Sequence, residues 1–171
     1  EALRELRREQ IQELVALPLY PHYSIATTGS SLRDLHRIKA ELKMDIPLRE
    51  IHSWPTEPSY IACLADRIRE GVQSFQGKPV QVVYSAHSLP VQFIKEGDPY
   101  VHHLEQTIRA VEELTGIRGR LCYQSRSGPV EWLGPALPEV ISALAAEGCG
   151  NMLAVPISFV SDHVETLFEI D

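Results

Sequence analysis

Residues 80–90 read VQVVYSAHSLP, and this stretch decides the fold. Its first half is β-branched and aromatic and follows Pro79, which predicts a short strand buried on both faces. Ser85, His87 and Ser88 then lie at the carboxyl end of that strand, the edge where open α/β sheets bind ligands. Histidine is the side chain used most often for proton transfer at physiological pH. His87 is therefore a candidate catalytic residue; the alternative is a structural histidine that bonds to the turn.

Strand and helix patterns alternate five times along the chain. Apolar residues three and four positions apart predict the helices, most clearly over residues 58–75. Short apolar runs predict strands at 14–19, 47–52, 80–84, 120–123 and 152–157. This alternation predicts an α/β fold, with a parallel sheet flanked by helices on right-handed crossovers.

Four loops follow predicted strands and are therefore expected to meet at one edge of the sheet. They are residues 17–31, 85–90, 124–135 and 161–165. Tyr20, Tyr23, Trp54, Tyr123 and Trp132 lie in or beside these loops. Aromatic loops suit a large, flat, apolar ligand, and they equally suit ordinary loop packing. The convergence predicts a single site.

Three acidic residues near the end of the sequence are spaced three and four apart. Asp162, Glu165 and Glu169 would form one stripe on a helix. Helix capping and the helix dipole explain acids in a first turn, whereas a functional line of carboxylates would explain all three. His163 beside them could be a ligand or a hydrogen-bonding neighbour.

The other histidines are scattered along the chain. They are His22, His36, His52 and the pair His102 and His103. The adjacent pair falls on a predicted solvent face, so it is interpreted as surface. No HExxH, GxGxxG, P-loop or paired CxxC motif is present, so a nucleotide-binding interpretation has no motif to support it.

Composition excludes several classes of function. The formal charge of −7 argues against nucleic acid as a partner. Three cysteines without a CxxC motif indicate reduced thiols and an intracellular, cytoplasmic location; peripheral membrane contact stays open. No apolar run approaches the roughly 18 residues of a membrane span, and no signal peptide is recognisable. The chain starts at Glu1 inside a helical pattern and stops at Asp171 inside another, so we expect a piece of a longer protein.

Four blocks of the sequence resemble the ferrochelatase family, in the family's order. They are LPLYPHYSIATTGSS, YSAHSLP with KEGDPY, YQSRSGPVEWLGP, and VPISFVSDHVETLFEID. The resemblance implies a lyase that inserts ferrous iron into a porphyrin in haem biosynthesis. It implies a chelatase-like fold of two Rossmann-like halves separated by a cleft. Residues 1–52 would belong to the end of the first half, and residues 53–171 to most of the second.

The resemblance also implies roles for individual residues. His87 and Glu165 would be the catalytic pair that faces the metal, with Asp162, His163 and Glu169 as the polar path that leads away. Trp132 would line the porphyrin pocket, and Ser85 and Ser88 beside His87 are assigned to the same pocket.

The implied partners are a porphyrin and Fe²⁺, both substrates, with no cofactor required. Protoporphyrin IX and coproporphyrin III both stay open as substrates. Some family members bind an iron–sulfur cluster through cysteines. At the position of one of these cysteines this sequence has Ile25, so a cluster is not expected there; the other cluster cysteines would fall mostly beyond Asp171. The alternatives are a porphyrin- or metal-binding module without turnover, and a chelatase for another divalent metal. This stretch of chain alone is expected to be inactive.

Overall fold

A computed structural model describes residues 1–161 of the chain, and all five predicted strands are found in it. The elements in order are α1 Ala2–Arg8, β1 Leu14–Ala16, α2 Thr28–Glu41, β2 Leu48–Glu50, α3 Pro58–Gln73, β3 Gln81–His87, α4 Val91–Lys95, α5 Tyr100–Thr115, β4 Gly119–Gln124, α6 Leu137–Ala146 and β5 Met152–Pro156.

The strands form two parallel sheets. Strands β1 and β2 pair with each other, and β3 lies between β4 and β5. The predicted fold class, α/β with parallel strands flanked by helices, is confirmed. Strand–helix alternation alone predicted one sheet, but β2 cannot join β3 because both edges of β3 are already occupied. The predicted boundary between residues 52 and 53 falls between β2 and α3 and stays a prediction.

Strand β3 is the centre of the core, as its sequence predicts. Residues 82–86 are all fully buried. On one face, Val82, Tyr84 and Ala86 pack with apolar side chains of α3 and α5. On the other face, Val83 packs with Leu137, Val140 and Leu144 of α6. Helices therefore cover both faces of this sheet, which explains the continuous apolar run.

Two local features of the structure add detail to the predicted elements. Helix α3 is capped by Glu57: the Glu57 carboxylate accepts the N–H of Tyr60 at 2.8 Å, with Pro58 at the first helical position. The predicted loop 85–90 is followed directly by the single-turn helix α4. Within residues 1–161, none of the helices combines the length and apolarity needed to cross a bilayer.

Gly119, at the start of β4, is required by the ring of Tyr84. A Cβ atom at Gly119 would lie 2.8 Å from Cδ2 of Tyr84, whose buried ring has no room to retreat. We expect Gly119→Ala to lower the free energy of unfolding by about 1–3 kcal/mol, measured by urea denaturation of the full-length protein. Gly150→Ala is the matched control, because a Cβ there meets nothing within 4 Å. Equal stability of the two variants would contradict this packing.

Candidate functional site

A cavity of about 490 Å³ lies at the carboxyl ends of β3 and β5, a size typical of small-molecule sites. The loop after β1 forms one wall, and residues after β3 and β5 form the other. The lining residues are Leu19, Tyr20, His22, Ser24, Ala26, Thr27, His87, Leu89, Tyr100, Ser158, Phe159, Val160 and Ser161. Loops from the two sheets therefore meet at one site, although their strands do not share a sheet.

His87 is the last residue of β3, and the backbone around it is held on both sides. Its N–H donates to Oγ of Ser158 at 3.3 Å, and its carbonyl accepts the Tyr100 hydroxyl at 3.1 Å. The half-buried side chain lines the cavity. The predicted placement of His87 at the carboxyl end of a strand is thus found, with Ser158 and Tyr100 as the supporting groups. Its catalytic role stays a prediction.

Ser85 and Ser88 do not line the cavity. Both are fully buried: Oγ of Ser85 bonds to the Gln124 side chain, and Oγ of Ser88 donates to the carbonyl of Leu133 at 3.1 Å. They fasten β3 to the end of β4 and to the loop that follows. Their assignment to the porphyrin pocket stays a prediction.

Trp132 lies close behind the site without lining the cavity in the described part of the chain. It forms an antiparallel bridge with Pro90, and its half-buried side chain has an enclosed Nε1 with no partner among residues 1–161. The loop 124–135 is thereby held against the turn after His87. The role of Trp132 in porphyrin binding stays a prediction.

The predicted acidic stripe lies outside the described residues. Asp162, His163, Glu165 and Glu169 all fall in the range 162–171. The chain lines the cavity at residues 158–161, directly before Asp162 in sequence. Among the described residues, no cluster of three or more His, Cys, Asp or Glu side chains could hold a metal ion. The roles of the four residues stay predictions.

His22 is a cavity residue that the sequence analysis missed. It is 2% exposed, and its Nε2 lies 2.8 Å from Oγ1 of Thr107. Thr107 donates its own hydrogen to the carbonyl of Pro55 at 2.7 Å, so it accepts one from Nε2 of His22. Nδ1 then carries a lone pair without a partner among residues 1–161. Burial, together with the nearby His103, lowers the pKa of His22 to about 3, so the imidazole is neutral.

His103 was predicted to be a surface residue, and that prediction is wrong. Its side chain is half-buried, and its Nδ1 accepts the N–H of Tyr23 at 3.1 Å. Burial and then the neighbouring His102 lower the pKa of His103. His103 directly precedes the buried Leu104 in α5, at the edge of the helix face that packs on the core. This position beside an apolar residue could have indicated that His103 is partly buried.

The depressed pKa of His22 predicts how stability depends on pH. The unfolded chain binds a proton near pH 6.5, whereas the folded protein does so only near pH 3. Stability contributed by neutral His22 is therefore complete above pH 6.5 and is lost as pH falls towards 3, at about 1.4 kcal/mol per pH unit. We expect His22→Gln to remove this slope between pH 5.5 and 4.5 in urea unfolding, and the exposed control His52→Gln to retain it. Parallel stability curves for wild type and His22→Gln would contradict a buried neutral His22.

Comparison with known proteins identifies the family. A family model described as "Ferrochelatase" matches residues 1–171. The chain is 58% identical to the ferrochelatase of Desulfotalea psychrophila and 49% identical to that of Geobacter metallireducens, in both cases over its whole length, which covers 53% and 55% of those proteins. It is 44% identical to the chloroplastic/mitochondrial ferrochelatase-1 of Arabidopsis thaliana, of which it covers 39%. The chain therefore spans about half the length of its bacterial relatives, and it belongs to the ferrochelatase family.

Proposed function

We propose that the protein to which this chain belongs inserts ferrous iron into a porphyrin, with release of two protons, in haem biosynthesis. The observation that carries the proposal is the position of His87, which the end of a buried strand presents to a cavity walled by two separate loops. Membership of the ferrochelatase family supports this reaction, and the cavity beside His87 supports its location. The proposed class is a lyase, and the described stretch alone is expected to be inactive.

The chemistry required suits an imidazole at this position. Metal insertion needs two pyrrole N–H protons removed and a divalent ion freed from its water shell. A neutral imidazole accepts protons or ligates a metal, and His87 would do the first. Apolar side chains such as Leu19, Leu89 and Phe159 in the walls suit the faces of a macrocycle.

We assign iron delivery and proton export to Glu165, with Asp162 or His163, because a carboxylate can ligate Fe²⁺ and can also accept a proton. These residues directly follow the cavity residues 158–161 in sequence. The roles of His87 and Glu165 could be exchanged between proton acceptor and metal ligand. Fe²⁺ is a substrate in this proposal, not a resident cofactor.

The proposal includes no iron–sulfur cluster and no nucleic-acid partner. Ile25 offers no donor atom at the position of one cluster cysteine of some family members. Cys63, Cys122 and Cys149 are free thiols, which supports a reducing cytoplasm as the location. An iron–sulfur absorption band in the purified full-length protein would contradict the proposal that it binds no cluster.

The test of the function is a metallation assay on the full-length protein. Anaerobic Fe²⁺ is mixed with protoporphyrin IX or with coproporphyrin III, and the change in porphyrin absorbance is followed over time. Many turnovers per protein are expected. Porphyrin binding without metallation would instead favour a binding module, and a faster reaction with Co²⁺ or Ni²⁺ would favour a chelatase for another metal.

A further inference from the structure

Four consecutive residues of the loop after β1 are each hydrogen-bonded to one row of side chains at helix α5. The row consists of Asp98, just before the helix, and His103 and Thr107 on it. The bonds are Nε2 of His22 to Thr107 at 2.8 Å, N–H of Tyr23 to His103 at 3.1 Å, Oγ of Ser24 to Asp98 at 2.8 Å, and N–H of Ile25 to Asp98 at 2.7 Å. The loop that forms one cavity wall is thus fastened to α5 and to Asp98 at residues 22–25.

Asp98 makes the strongest of these connections. Its side chain is buried, at 8% exposure, and its two carboxylate oxygens accept three hydrogen bonds. Oδ2 accepts from Ser24 and Ile25, while Oδ1 accepts the N–H of Tyr100 at 3.0 Å. No ion pair with Asp98 occurs within residues 1–161, so these donors and the amino end of α5 compensate the charge.

The two oxygens of Asp98 serve opposite walls of the cavity. Oδ2 holds the segment 24–27, whose residues Ser24, Ala26 and Thr27 line the first wall. Oδ1 holds the start of α5 at Tyr100, which lines the second wall and donates its hydroxyl to the carbonyl of His87. One buried carboxylate therefore sets the spacing between the loop wall and the wall that carries His87.

We propose that Asp98 is a positioning residue for porphyrin: it holds the 24–27 wall at the distance from His87 at which the macrocycle binds productively. This inference rests on the proposed function. The simpler explanation is a buried carboxylate that only supports folding. A folding role would reduce the fraction of active protein and hence the apparent kcat, whereas a positioning role changes KM for the porphyrin.

Asp98→Asn in the full-length protein separates the two explanations. Asparagine has only one acceptor oxygen, and its NH₂ group cannot accept from the N–H of Ile25 or of Tyr100. Either orientation of the amide therefore breaks one of the two connections that Asp98 makes between the walls. Loss of one hydrogen bond to a charged group corresponds to about 10- to 100-fold in affinity. We expect KM for the porphyrin to rise by about that factor and kcat to change less than about threefold.

Two further variants complete the experiment. Ser24→Ala removes one donor to Asp98 and should raise KM in the same direction but by less. Asp66→Asn is the matched control, because the exposed Asp66 pairs with Arg69 on α3 and is not among the residues that line the cavity; its KM should equal that of the wild type. Circular dichroism gives the folded fraction of each variant.

An unchanged KM in folded Asp98→Asn, with kcat lowered in proportion to the folded fraction, would overturn the proposal. If Asp98→Asn does not fold, folded Ser24→Ala decides, and an unchanged KM there overturns it as well. If the wild type binds porphyrin but does not metallate it, the proposed function fails separately. In that case the dissociation constants for porphyrin, measured by fluorescence quenching, are compared between the wild type and the variants in place of KM.

Discussion

His87→Ala in the full-length protein is expected to lower kcat for metal insertion by about 100- to 10,000-fold, the usual contribution of a positioned acid–base group. The alanine variant lacks the imidazole nitrogen that residue 87 would offer to the pyrrole protons. The backbone bonds to Ser158 and Tyr100 involve the N–H and carbonyl of residue 87, so they are available to alanine too. Porphyrin binding should therefore largely survive, because the other lining residues are unchanged.

The measurement pairs initial rates of metallation with the dissociation constant for porphyrin. His102→Ala is the control, since His102 is exposed and absent from the cavity lining. Its rate should match that of the wild type. Turnover by His87→Ala at the wild-type rate would remove His87 from the mechanism and leave the proposed function without its central residue.

Leu104→Ala is expected to lower the free energy of unfolding by about 2–5 kcal/mol. Leu104 is fully buried on α5, in the cluster that joins this helix to α3 and to the face of β3 with Val82 and Tyr84. Removal of its isobutyl group leaves a cavity that the surrounding side chains fill only in part. Urea denaturation of the full-length protein, followed by circular dichroism, measures the loss.

Leu114→Ala is the matched control for this substitution. Leu114 is on the same helix but is 47% exposed, so its truncation should cost well under half as much. Equal losses at the two positions would show that α5 does not pack on the sheet through Leu104. Because α5 also carries Tyr100, His103 and Thr107, that result would weaken the account of the cavity wall too.

The elements themselves could be predicted because local patterns determine them. Residues 82–84 are an uninterrupted run of β-branched and aromatic side chains, and that pattern predicts burial on both faces. Ile61, Ala65 and Ile68 repeat at helical spacing and are the buried residues of α3. The placement of His87 at the end of a strand follows from the same reasoning and needs no knowledge of tertiary contacts.

The division into two sheets and the partners of the cavity residues could not be predicted in this way. The pairing of the strands depends on contacts between residues far apart in the sequence, because β4 and β5 occupy both edges of β3 and leave none for β2. The burial of His22 depends on Thr107, 85 positions further along the chain. Asp98 appears in the sequence only as part of a Gly-Asp-Pro turn, although its bonds reach Ser24 and Ile25.

The alternation of side chains along β3 makes the orientation of His87 depend on the number of residues in the strand. Val82, Tyr84 and Ala86 face one layer of helices while Val83 faces the other. Deletion of a single residue between positions 82 and 86 would exchange the two sets and rotate the imidazole of His87 to the opposite side. A substitution in this strand can therefore change the size or polarity of a side chain and leave His87 in place, whereas an insertion or deletion of one residue would move it.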